Sequence, residues 1–152
     1  MGRSPYERQL MAGRRGAWTV DVGSVGKLAA AFKVASPSVA KSFRASMRDA
    51  ADATVKDARQ RIEPHSSKIG GTIRRGGSVG TLTVSAGGAK APSAAPFENG
   101  GEEGDFRHPV MGDMDVWVNQ KAHPFLHPAA EAQSEALAVK VDAAIDEAIK
   151  TL

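Results

Sequence analysis

The chain has 152 residues, a formal net charge of +3 and no cysteine, which allows one domain with a modest core and excludes disulfides and thiolate metal sites. Apolar residues make up 41% but aromatic ones only 5%; much of the apolar share is alanine, so the core is expected to be thin and to depend on neighbours. No segment approaches the roughly 20 apolar residues of a membrane span, and no apolar run of signal-peptide length follows the basic N-terminus. The expectation is a soluble protein assembled in a reducing cytoplasm, with no membrane partner.

Residues 1–16 are basic and aperiodic and are expected to form a flexible arm ahead of a single domain over 17–152. Ala17 to Val22 has the alternation of a short strand. Ser24 is a candidate cap for a short helix carrying Val25, Leu28 and Phe32. Ser36 followed by Pro37 is a stronger start signal, a hydroxyl cap with proline in the first turn. From Pro37 to Ile62 the apolar positions Val39, Phe43, Met47, Ala51, Val55, Ala58 and Ile62 recur every three or four residues, as in a helix of roughly 39 Å. Glu63-Pro64 ends it.

The segment from Ser66 to Gly80 is rich in glycine and serine. Thr81 to Ala86 alternates Leu82, Val84 and Ala86 against small polar residues, the pattern of a half-buried strand. Residues 87–112, with repeated Gly and Pro and the acidic cluster Glu98, Glu102, Glu103 and Asp105, are expected to be a long loop ordered on assembly. Met114 to Asn119 suits another strand. Residues 121–131 bracket Phe125 and Leu126 between Pro124 and Pro128: an extended arm that inserts two apolar side chains into a pocket and then starts a helix. That helix should place Leu137, Val141, Ala144, Ile145, Ala148 and Leu152 on one stripe. The elements together define an α+β fold, with two main helices against a small antiparallel sheet.

Charge is segregated. Residues 1–97 hold 16 Lys or Arg against 6 Asp or Glu, a balance of +10, and residues 98–152 hold 4 against 11, a balance of −7. Opposite halves can fold together or pair head-to-tail between copies, where complementary charge sets register.

Candidate chemistry is sparse. His123 and His127 have the i, i+4 spacing of a helical metal pair, but Pro124 and Pro128 oppose a helix through both. Gly70-Gly71 and Gly76-Gly77 flank Arg74 and Arg75 without the spacing of a phosphate-binding loop. Asp113 and Asp115 point the same way from a strand, as an acid–base pair would, and nothing around them supports that use. The residues give no catalytic, cofactor-binding or metal-binding set, and the expectation is that the chain is not an enzyme. Basic residues of the long helix could contact phosphate, so a small basic DNA-binding protein is the alternative; Asp49, Asp52 and Asp57 among them weigh against it.

Five pieces carry a resemblance: Val39 to Pro64; Gly71-Thr72-Ile73-Arg74; Thr81 to Ala86; Ala95-Pro96-Phe97-Glu98-Asn99-Gly100; and His123-Pro124-Phe125-Leu126-His127-Pro128-Ala129. In this order they resemble the HK97 gp10-like tail-component family of tailed bacteriophages, the tail completion or head-to-tail connector proteins. The likeness spans roughly residues 20–150, and the last piece is its most specific. The chain departs from the family pattern at Pro64-His65-Ser66-Ser67-Lys68-Ile69-Gly70, where a Pro-Val-Asp-Thr-Gly-like run is usual. It departs again at Ala95-Pro96-Phe97, where a tyrosine precedes the acidic loop.

The resemblance implies a structural subunit of the virion neck, assembled in the host bacterial cytoplasm. There a homo-oligomeric ring, expected to be a hexamer, joins the capsid connector to the tail. Implied partners are other neck proteins on the stopper or adaptor side, tail terminator or tube proteins, and genomic DNA passing through the lumen without sequence-specific binding. It implies no enzymatic activity. The residues expected at assembly interfaces are Pro124, Phe125, Leu126, Pro128, Phe97, Glu98, Glu102, Glu103, Arg44, Arg48, Arg74 and Arg75.

Overall fold

The computed structural model describes residues 11–13, 17–23, 25–78, 81–99 and 104–151. In chain order the elements are β1 (Met11–Gly13), β2 (Ala17–Gly23), α1 (Val25–Ala35), α2 (Pro37–Ile62), α3 (Ser67–Gly70), β3 (Arg74–Ser78), β4 (Thr81–Gly87), α4 (Ala94–Asn99), β5 (Asp105–Val110), β6 (Asp113–Lys121) and α5 (Leu126–Lys150). The fold is α+β. An antiparallel sheet runs in the order β1-β2-β4-β3, and β5 and β6 form a separate two-stranded hairpin.

The boundaries of α2 follow from local chemistry. Ser36 is extended, its hydroxyl accepts from the Val39 N–H, and Pro37 opens the first turn, where no N–H is needed. All seven residues of the expected apolar stripe are buried. Thr54 is buried among them, and its hydroxyl donates to the Ala50 carbonyl at 2.9 Å, which satisfies it without an external partner.

The core has two parts strung along α2. The C-terminal half of α2 packs with Ile69, Ile73, Val84, Ala86, Phe97, Phe125, Leu126 and Ala129. The N-terminal half packs with Ala29 and Phe32 of α1 and with Leu137, Val141, Ala144 and Ala148 of α5. Helix α5 therefore runs antiparallel to α2. Strand β4 turns Val84 and Ala86 into the core and leaves Leu82 partly buried against both parts. Two side-chain ties fix the β3–β4 pair to the helices. Arg59 donates to the Ile73 carbonyl at 2.6 Å. The Thr72 hydroxyl donates to the Ile69 carbonyl at 2.7 Å and accepts from the Gly87 N–H at 2.8 Å.

Several expectations are corrected. The segment 87–112 is not one long loop: it contains α4 and the whole of β5. Part of the expected N-terminal arm, Met11–Gly13, pairs with β2; its remainder lies outside the described residues, as do Ser24 and Leu152. The last helix begins at Leu126 rather than Pro128, and Ile145 is exposed rather than on the buried stripe.

Candidate assembly interface

The arm before α5 is built by a carboxylate 27 residues upstream. A helix leaves its first four backbone N–H groups without intrahelical partners. In α5 these belong to Phe125 at the cap, Leu126, His127 and Pro128. Glu98, at the end of α4, accepts from Phe125 N–H at 2.9 Å and Leu126 N–H at 2.8 Å through one oxygen, and from His127 N–H at 2.8 Å through the other. Pro128 has no N–H to satisfy. The set is closed, and the buried negative charge lies where the helix dipole favours it.

This geometry lowers Phe125 and Leu126 into the subunit's own core, both 0% exposed. The pocket for the arm is therefore in the same chain. As residues of an inter-subunit surface, Phe125, Leu126, Phe97 and Glu98 are corrected: all four are buried within one subunit. Pro124 is exposed beside them, and Pro128 is half-buried. Phe97 packs edge-on against Phe106 with ring centres 5.1 Å apart, which anchors the base of the β5–β6 hairpin. The Phe97 carbonyl accepts from His123 N–H at 3.0 Å, tying α4 to the arm a second time.

The histidines do not form the metal pair that their spacing suggests. The His127 Nε2 lies 3.1 Å from a Glu131 carboxylate oxygen within α5. His123 instead stacks on His65, with ring centres 3.5 Å apart and planes 8° from parallel. Partial burial, with the neighbouring His65 and Lys121 adding repulsion, holds the His123 imidazole below its ordinary pKa. Among the described residues no three His, Asp or Glu side chains converge as metal ligands.

The remaining expected interface residues divide by position. Arg44 and Arg48 are exposed on α2 and, with Lys41, occupy i, i+3 and i+7 on one face. No ion-pair partner lies near these three among the described residues. Arg74 and Arg75 are exposed on the edge strand β3, and Arg75 pairs with Asp52 at 2.8 Å. Glu102 and Glu103 lie outside the described residues. The outer face of α5 carries Glu131, Glu135, Asp142 and Asp146 with exposed Val139, Ile145 and Ile149. A basic helix face and an acidic, partly apolar one thus look outward from the same subunit.

The β5–β6 hairpin is a feature the residue patterns did not single out. Every residue of β6 except Gln120 is exposed, including Met114, Val116, Trp117 and Val118. Its turn is the two-residue pair Met111-Gly112, with φ of 51° and 83°, the primed geometry that suits a hairpin's twist. Register shifts between Pro109 and Val110 leave Met114, Asp115 and Val116 as a bulge with no Cα partner opposite. Trp117 closes that bulge by donating from its indole N–H to the Met114 carbonyl at 2.7 Å. The signal for the turn was Gly112 between two alternating segments. It was masked because Pro109 argues against a strand and because Met, rather than Asn or Asp, precedes the glycine.

No helix among the described residues is long and apolar enough to cross a membrane. No protein-family model matches the chain, and comparison with curated proteins and with solved structures gives no significant match.

Proposed function

We propose that this chain is a structural subunit of a tailed-bacteriophage neck, a tail completion or head-to-tail connector protein. Its copies close into a ring, sixfold in the simplest case, between the capsid connector and the tail. The observation that carries this is the segregation of charge on the folded surface. Lys41, Arg44 and Arg48 form one basic face on α2, without an ion-pair partner among the described residues, and Glu131, Glu135, Asp142 and Asp146 form an acidic face with apolar neighbours on α5. In a cyclic ring every interface is heterologous, so a basic surface of each copy meets an acidic surface of the next. The resemblance in the Pro124-Phe125-Leu126 arm points the same way. In this reading the partners are further copies, neck proteins above, and tail terminator or tube proteins below. Genomic DNA passes the lumen without sequence readout. The site of action is the virion neck, after assembly in the bacterial cytoplasm, and the chain performs no catalysis.

Interrupting the coding sequence in the genome that carries it is the direct test. DNA-filled heads and separate tails that fail to join are expected. Intact, infectious particles without the chain contradict the proposal.

The basic face of α2 also favours a second reading, a small DNA-binding protein, since such a face binds phosphates in a salt-dependent way. A duplex titration with the free subunit separates the two: tight binding at physiological salt supports DNA binding, and weak, sequence-blind binding supports the neck subunit.

A further inference from the structure

An isolated two-stranded hairpin is marginal in water, and stable ones bury a face against something. The β5–β6 hairpin is held at its base, through Phe106 on Phe97; along β6 Met114, Val116, Trp117 and Val118 are exposed, and Arg107 lies over the Trp117 ring. Its tip displays Met111, the most exposed large apolar residue among the described ones, beside Met114, Asp113 and Asp115. Met111 holds a left-handed backbone conformation (φ 51°), which Asn or Gly adopts at lower cost. Strain of this kind persists where a position serves something other than stability. The tip is thus apolar and acidic, with no basic residue between Val110 and Asn119.

The complementary surface lies at the far end of the same molecule. The α1–α2 corner exposes Val34, 90% accessible, next to Lys33. The α2 face behind it carries Lys41, Arg44 and Arg48. This corner belongs to the core part formed by α1, the N-terminal half of α2 and the C-terminal half of α5. The hairpin base belongs to the other part. The hairpin base and the corner thus belong to opposite halves of α2, a helix of roughly 39 Å, which separates the two surfaces as a head-to-tail contact needs.

We infer that the β5–β6 hairpin is an assembly arm whose Met111–Asp115 tip seats on the Lys41–Arg48 end of α2 and on Val34 in a second copy of this chain. Methionine is flexible enough to fill a shallow apolar surface, the lysine and arginine stems cover it, and their charges meet Asp113 and Asp115. This rests on the proposal that copies of the chain assemble with one another. It assigns the hairpin tip, rather than the α5 face, as the acidic surface that meets the basic face of α2.

A charge-swap series read by sedimentation at several concentrations tests it. Asp113→Lys with Asp115→Lys, and separately Arg44→Glu with Arg48→Glu, are each expected to weaken self-association roughly tenfold or more. Thermal unfolding of the dilute subunit should stay unchanged. The fourfold variant, with both surfaces reversed, is expected to regain association to within about threefold of the original. Unchanged association of either double variant overturns the inference, as does failure of the fourfold variant to regain it. A monomer at every salt and concentration overturns both the inference and the ring. Charge-swap rescue together with intact virions after gene interruption keeps the arm and removes the neck.

Discussion

Among the described residues, no other side chain accepts as many backbone hydrogen bonds as Glu98. One buried carboxylate takes three backbone donors of α5, and Pro128 removes the fourth. Hydrogen bonds to a charged acceptor are worth about 1.5–3 kcal/mol. Glu98→Gln, which keeps the shape but loses the charge and half the acceptor capacity, is expected to lower subunit stability by about 1–3 kcal/mol in urea unfolding. Glu98→Ala, which orphans all three donors, should lower it further. A variant as stable as the original contradicts the capping role. The second residue-scale prediction concerns acid. His123 has a folded pKa below its ordinary value, with burial first and then His65 and Lys121 as causes, so the unfolded chain binds this proton more readily. Its contribution is therefore present above about pH 6.5 and is lost as pH falls below that value toward the lowered folded pKa. The melting temperature should drop less between pH 7.5 and 5.5 in His123→Gln than in the original chain; equal drops contradict the assignment.

At the scale of elements, the arm that the residue pattern suggests for assembly packs into the core of its own subunit. Phe125 is a core residue of its own subunit, fully buried, so Phe125→Ala should cost about 3–5 kcal/mol of monomer stability, read on the dilute subunit where assembly is absent. A variant that assembles poorly but melts normally returns Phe125 to an interface. Met111→Asn, by relieving the left-handed strain, should stabilise the hairpin by up to about 1 kcal/mol and yet weaken association through loss of the apolar tip. How legible each element is in the sequence follows from the range of the interactions that make it. Helix α2 is written locally: Ser36-Pro37 starts it, a periodic stripe buries it, and Glu63-Pro64 follows its end. Strand β4 is equally local in its alternation. Helix α4 is six residues, too short for periodicity, and exists because Phe97 and Glu98 reach α5. Glu98 and its donors lie 27 to 29 residues apart in the chain, beyond any local window. Strand β5 hides behind Pro109, tolerated because the two-stranded sheet leaves both strands as edges. The arm's docking was legible from two prolines around an apolar pair; which chain holds its pocket was not.

At the scale of the whole molecule, the sequence split of +10 and −7 is not cancelled by folding the halves together. Helices α2 and α5 pack through their apolar stripes and turn their charged faces outward. Such a surface favours self-recognition that weakens with salt, and it is the centre of the account of this chain as a ring-forming subunit. Mass measurement of the purified chain across a salt series tests that centre most directly. The account predicts a closed oligomer of defined copy number at low salt that dissociates as salt rises. A single-subunit mass at every salt and concentration contradicts it.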